Sequence, residues 1–332
     1  MNTRSPRLTR RAFSLAALGT PLLAALARPA WAAEFPEHPV KFVVPFNPGG
    51  NVDSVGRLLA QAMGATLHQP VVVDNRSGAG GGVGASMVAT SPADGYTLMV
   101  GSNGPLTINP FVQKLSYKPL EDLAPIALAG TVPHVLIVTN KLAAKNLKEL
   151  VELSHHENLS CASSGLGSAT HLTLARFDAQ TGARIVHVPY RGGSAFVTDL
   201  ISGIVQVASM ELSTAVPLHK AGKARILGVA GTRRSPLVPE VPTFIESGIA
   251  GFTAESFVGL LAPAHTPKPV LGTLEKAALA ALATPDMAQH LQALGIQPAI
   301  GAERSAAGFA RLLKIDSERN REAVRIAGVQ PE

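Results

Sequence analysis

Short apolar runs alternate along this chain with longer stretches in which apolar residues recur every three or four positions. That is the pattern of strands followed by helices. Residues 40–44 (Val-Lys-Phe-Val-Val) predict a strand, stopped by Pro45, Pro48, Gly49 and Gly50. Val55, Leu58, Leu59, Ala62 and Met63 then share one face of a helix that Asn51 or Asp53 caps. Residues 70–74 (Pro-Val-Val-Val-Asp) show no polar alternation, as expected for a strand buried on both faces of a parallel sheet. Strand, helix and strand make a βαβ unit. Further strands are predicted at 96–100, 124–128 and 134–138, the last opening a second domain. From there helices at 147–155, 169–177 and 215–221, and a helix closed by Gly203, interleave with strands starting at 185, 204 and 224. Helices at 269–283, 285–294 and 302–326 finish the chain, with Arg311, Arg319 and Arg321 on a solvated face. The fold class is α/β, and the length suits two domains of roughly 100–200 residues.

The first 32 residues stand apart from this pattern. Arg4, Arg7, Arg10 and Arg11 precede an apolar run over 15–26, and Ala30-Trp31-Ala32 is an A-x-A cleavage site. This is a cleaved secretory signal. Thr9-Arg10-Arg11-Ala12-Phe13 also carries the paired arginines of a twin-arginine signal, with Ser14 departing from the usual leucine. Nothing later is long and apolar enough for a transmembrane helix. The formal charge of +6 includes five leader arginines and no leader carboxylate, so the mature chain is near +1. The high pI is therefore no sign of nucleic-acid binding. Cys161 is the single cysteine. An exported chain without an internal disulfide depends on its apolar core, for which its length suffices.

Candidate chemistry gathers in the turns. A glycine pair before a helix leaves backbone N–H groups uncovered, with the positive end of the helix dipole behind them. The turn at Gly49 and Gly50 is therefore suited to a carboxylate, or is an ordinary strand-to-helix turn. The glycine-rich stretch 75–84 invites a dinucleotide reading. Val83, however, replaces a glycine in one frame, the Gly80-Gly82-Ala85 frame is only the looser form, and neither follows a strand directly. Close packing of helix on sheet accounts better for it. Ser102 and Asn103 lie in a loop where a parallel strand ends, a common place for ligands.

In 161–171, Ser163, Ser164 and Ser168 supply hydroxyls, and Gly165 and Gly167 expose backbone before a helix. This is a second oxyanion cradle, a set of capping serines, or a serine nucleophile with His171 or His187 as base. No Gly-x-Ser-x-Gly elbow accompanies the serines. Cys161, with no basic neighbour, reads as a small buried apolar residue, and His155-His156 as solvated. Tyr190 and Arg191 offer a hydroxyl and a bidentate carboxylate partner. Glu211 stands where it meets a ligand ammonium, repels a surplus carboxylate, or merely starts the next helix.

Several spaced segments together resemble one family. They are 44–53 (Val-Pro-Phe-Asn-Pro-Gly-Gly-Asn-Val-Asp), 73–80, 92–98, Ser163-Ser-Gly-Leu-Gly-Ser168 with His171, His187-Val-Pro-Tyr-Arg-Gly192, 241–248 and 255–263. The chain resembles, over nearly all its mature length, the periplasmic receptors of tripartite tricarboxylate transporters, the Bug or TctC-like solute-binding proteins. The resemblance implies a two-lobed, Venus-flytrap binding protein of periplasmic type II, each lobe a mostly parallel sheet flanked by helices. Lobe 1 would comprise 33–130 and 253–332, and lobe 2 would comprise 131–252.

It implies a monomeric, non-enzymatic receptor for a small carboxylate, without cofactor or metal, that delivers its ligand to a two-subunit membrane permease. Phe46, Asn47, Gly49, Gly50 and Asp53, with Ser102 and Asn103 beside them, would form one jaw. Ser163, Ser164, Gly167, Ser168, His171, Tyr190, Arg191 and Gly192 would form the other. Three positions depart from the usual pattern: Cys161 and Phe257 for aromatics, the latter for tryptophan, and Arg191 for lysine. The readings outside this one are a secreted α/β hydrolase using Ser164 or Ser168, and a receptor that serves sensing.

Overall fold

The computed structural model describes residues 35–330 except 191, 193 and 194, so the leader and Arg191 lie outside the described residues. The chain begins β1 (Val40–Val44), α1 (Asn51–Leu67), β2 (Val71–Asn75), α2 (Gly82–Ala89) and β3 (Thr97–Gly101). A π turn (Gly104–Ile108) leads through α3 (Asn109–Val112) and α4 (Pro119–Asp122) to the long β4 (Leu123–Thr139). Then follow α5 (Leu147–Ser154), β5 (Leu159–Ser163), α6 (Ala169–Thr181), β6 (Ile185–Pro189), α7 (Val197–Ser202), β7 (Val207–Glu211), α8 (Leu212–Lys220) and β8 (Ala224–Val229). The chain closes with β9 (Glu255–Pro263), α9 (Lys268–Leu282), α10 (Pro285–Ala293), β10 (Gln297–Pro298) and α11 (Ala306–Ala327).

The strands form one path, β2-β1-β3-β9-β4-β7-β5-β6, with β10 and β8 also pairing to β4. Outer strands pair in parallel (β1 with β2 and β3, β5 with β6 and β7), as the βαβ units require. Around β4 the pairing is antiparallel, so each half of the sheet is mixed. Residues 123–133 of β4 pair with β9, whereas 134–139 pair with β7 and β8. One strand thus belongs to both halves.

Two strands separated by a break were expected over 124–138; β4 instead runs through Pro125, Gly130 and Pro133. The prolines are accommodated by register shifts beside Pro125 and Leu128 and by the change of partner after Pro133. Gly130 has no room for a side chain, because a Cβ there would run into the Gln297 carbonyl on β10. At the crossing, His134 N–H donates to Ala254 O (2.9 Å), Ala230 N–H to His134 O (2.8 Å) and Ala254 N–H to Ala230 O (2.8 Å).

Apolar packing follows the two halves. Phe42, Val44, Leu59, Met63, Leu98, Leu260 and Leu274 pack under α1 and α9, and Met99, Leu261, Phe257 and Phe309 fill the opposite face. Leu136, Cys161, Phe177, Phe244 and Phe252 form a separate cluster, with Ile137, Phe196, Met210 and Val229 on its other side. A smaller cluster bridges the halves, joining Ile108 to Leu172 of α6 and to Ala323 and Val324 of α11. The glycine-rich stretch serves packing: a Cβ on Gly84 would sit 2.9 Å from both Pro45 Cα and the Arg76 carbonyl. No described helix is long and apolar enough to cross a membrane.

Candidate functional site

A cleft of about 900 Å³ lies where the ends of β1, β3, β5 and β7 converge, and residues of both halves of the sheet line it. On the β1 side the turn is set by Asp53, not by a capping side chain. Gly50 is the N-cap and makes no side-chain cap, and Gly49 takes φ +91°, which favours glycine. The Asp53 carboxylate accepts from Gly49 N–H (2.9 Å), Asn75 Nδ2 (2.9 Å) and the Arg57 guanidinium (3.0 Å). Burial pushes this carboxyl up, but Arg57, Gly49 and Asn75 outweigh it and hold it below the usual range. Asn75 Nδ2 also donates to Phe46 O (3.0 Å), fixing the strand end. The first intrahelical bond is Ser54 N–H to Gly50 O (2.9 Å), so the amides of Asn51, Val52 and Asp53 precede it and are uncommitted to the helix.

On the β5 side the loop is braced from beneath. Ser168 is the N-cap of α6: its Oγ accepts from His171 N–H (3.2 Å) and donates to Gly165 O (2.7 Å). The Thr170 hydroxyl lies 2.7 Å from Ser164 Oγ and accepts from Ser164 N–H (3.0 Å). His171 Nδ1 accepts from Gly167 N–H (3.1 Å), and its ring stacks on His187 at 3.7 Å. Burial, with His187 beside it, lowers His171 to about 4, so it is neutral at pH 7 and Nδ1 is free to accept. Leu172 N–H to Ser168 O (3.0 Å) is the first intrahelical bond, which leaves the Ala169 and Thr170 amides open.

Of the residues singled out from the sequence, Phe46, Gly49, Gly50, Asp53, Ser102, Asn103, Ser164, Gly167, Ser168, Gly192 and Glu211 line the cleft. Asn47, Ser163, His171 and Tyr190 are outside the lining; the last three support it from behind. Tyr190 donates to Asp199 Oδ2 (2.6 Å), and Ser163 Oγ lies 2.6 Å from His187 Nε2. Asn103 spends its side chain inside the protein, donating to Asp316 Oδ2 (2.8 Å) and Glu255 O (3.2 Å) and accepting from Phe257 N–H (2.8 Å). Cys161 is fully buried, and burial pushes its thiol up.

Sequence reading missed the wall made by Ile108, Asn109 and Val112, which a π turn delivers without any periodic signal. It treated Asn51 only as a cap and named no role for Ser256, although both line the cleft. Phe257 was marked only as a departure from tryptophan. It lines the cleft with its ring edge-on to Phe309.

The serines do not compose a nucleophilic site. Ser163, the one paired with an imidazole, is fully buried and outside the cleft, while Ser164 and Ser168 meet Thr170 and backbone. Among the described residues neither His171 nor His187 contacts a carboxylate. Facing the cleft are helix-end amides, hydroxyls, carboxamides, the carboxyls of Asp53 and Glu211 and apolar side chains, a lining suited to binding a solute. Fold and cleft define a solute-binding receptor of the periplasmic-binding type.

The family model for the tripartite tricarboxylate transporter family receptor (TctC) matches residues 55–328, and the chain belongs to that family. Protein BugT of Bordetella pertussis is 36% identical over 291 residues, covering 86% of this chain and 89% of its own. The solved structure of R. palustris Rpa4515 with adipate is 32% identical with a TM-score of 0.80, covering 90% of this chain and 100% of that one. MatC (Rpa3494) from Rhodopseudomonas palustris with bound malate is 33% identical, TM-score 0.76, over 87% and 100% of the two chains. These are families and neighbours of substrate-binding receptors, not of enzymes.

Proposed function

We propose that this protein is a periplasmic receptor that captures a small organic acid between two lobes and hands it to a two-subunit membrane permease. The observation that carries the reading is the convergence of two helix N-termini, those of α1 and α6, on one cleft in a chain of this receptor family. Their open amides supply a positive field where, among the described residues, no lysine or arginine lines the cleft, and water fills what they do not reach. Adipate and malate in the two Rhodopseudomonas neighbours support a carboxylate as the ligand class. Lobe 1 takes 33–130 with 253–332 and lobe 2 takes 131–252, a division that the separate apolar clusters support. Closure about the crossing at His134 and Ala254 gives the ligand contacts with both lobes only in the closed state, and that difference shifts the population. The leader 1–32 is removed on export, and the mature chain acts as a monomer.

Thermal melting of residues 33–332 against mono-, di- and tricarboxylates, aromatic acids and amino acids tests this. An acid at about 100 times its Kd adds about 2.7 kcal/mol and raises Tm in a saturable way. Absence of any shift, together with turnover of an activated ester, would replace the receptor by a hydrolase.

A further inference from the structure

The amide cradle accounts for one end of a ligand, and the cleft is larger than that end. Glu211 closes β7 and stands directly before α8, with its side chain in the cleft lining. Asn51 Nδ2 reaches it from the other side of the cleft and donates to Glu211 Oε2 (2.8 Å) and to Ser213 Oγ (3.0 Å). The remaining polar neighbour is the Ser256 hydroxyl, itself 2.9 Å from His134 Nε2. The Asn51 amide presents a hydrogen to the carboxyl, so Glu211 Oε2 is held in the role of acceptor, while the Ser256 proton goes to His134 Nε2, because His134 Nδ1–H is spent on Thr173 Oγ1, which itself donates to Ala169 O.

No side-chain cation among the described residues of the lining offsets a second negative charge. Among the described residues no Lys, Arg or His side chain lines the cleft, and its other carboxylate, Asp53, is consumed by Gly49, Arg57 and Asn75. Burial raises the Glu211 proton affinity, so a ligand carboxylate shares this end of the cleft only with a proton held between the two carboxyls. Between the two ends the walls are apolar, made by Phe46, Ile108, Val112, Met210, Phe257 and Val258.

We propose that Glu211 determines the specificity of this cleft. Its ligand is a monocarboxylate whose far end carries a hydrogen-bond donor, a hydroxyl or an ammonium, across an apolar stretch, and diacids are selected against. This rests on the carboxylate-receptor reading above and narrows it. An acceptor left without a donor in a buried site, or facing a like charge, loses at least about tenfold in affinity.

The test is calorimetric titration of the mature protein at pH 7.5 with two matched series. One is adipate, hexanoate, 6-hydroxyhexanoate and 6-aminohexanoate; the other is succinate, butyrate, 4-hydroxybutyrate and 4-aminobutyrate. Within at least one series the donor-ended acid should bind at least tenfold more tightly than the diacid. In Glu211→Gln, which keeps an acceptor for Asn51, that preference should shrink to threefold or less. Equal or tighter binding of the diacid by the wild type overturns the proposal, as does an unchanged preference in Glu211→Gln. If the variant does not fold, the wild-type ranking still decides. Binding of no acid from either series by the wild type overturns the proposal, while the receptor reading itself falls only if the wider melting panel also gives no shift.

Discussion

Asp53→Ala tests how the first cradle is built. The substitution removes the acceptor for Gly49 N–H and Asn75 Nδ2, both at 2.9 Å, and the ion-pair partner of Arg57. Arg57 is half exposed and regains water, so its share is small. The other two are hydrogen bonds to a charged group, worth about 1.5–3 kcal/mol each, and Gly49 recovers part of its loss from solvent because it is exposed. The expected cost is about 2–4 kcal/mol, since neighbouring bonds do not add fully. At roughly 2 °C per kcal/mol for a chain of this size, Tm falls by about 4–8 °C. Without its tether the Gly49 turn no longer aims the Asn51 and Val52 amides, so the ligand-induced rise in Tm should also collapse. Melting with and without a saturating acid reads both effects. A variant that melts within 1 °C of wild type (about half a kcal/mol) and keeps the full ligand shift would refute this account of the turn. The sign with pH follows from the lowered carboxyl. The stabilisation is whole above about pH 4, the ordinary Asp value, and disappears as pH falls through the lower folded value.

Three other outcomes are expected. Burial lowers His171 to about 4 and His134 to about 3, so the unfolded chain, with histidines near 6.5, binds more protons across that interval. Stability should fall as pH drops from about 6.5 to 4, and His171→Asn, whose Oδ1 can take the Gly167 N–H, should flatten the slope in melts at stepped pH; an unchanged slope contradicts the assignment. Gly84→Ala should cost about 1–3 kcal/mol by urea unfolding, because its Cβ meets the Pro45 and Arg76 backbones at 2.9 Å; a neutral result would show that α2 is free to shift. Cys161, buried with its thiol pushed up, should resist a water-soluble thiol reagent in the native protein and react fully in denaturant.

Most of the architecture was legible because the apolar runs are short and sharply punctuated. Val40–Val44, Leu147–Ser154 and Ile185–Pro189 fall within a residue of where periodicity puts them. Prolines misled where tertiary pairing overrides them, as in β4, and Pro217 sits inside α8. Gly203–Gln206 shows a related limit. Ile204 has strand character, but it lies in the turn after α7 with its side chain 67% exposed, and β7 begins at Val207. At the cleft, glycine and serine signals marked the right loops. They could not tell a hydroxyl that faces the ligand from one that braces the loop, as Ser163 and Ser168 show. That distinction depends on Thr170, His171 and His187, partners fixed only by the fold. The wall at Ile108 and Val112 had no local signal at all.

The central claim is that the two sheet halves close on an acid, and the most direct measurement is the distance between them in solution. Cysteines placed at the exposed Gln61 on α1 and Lys148 on α5 would carry a fluorophore pair, while the buried Cys161 stays unlabelled. On adding the acid found by thermal melting, the distance distribution should shorten and narrow in proportion to occupancy, and Asp53→Ala should require more acid for the same change. A distribution that stays the same at saturating acid would contradict closure as the mechanism of capture.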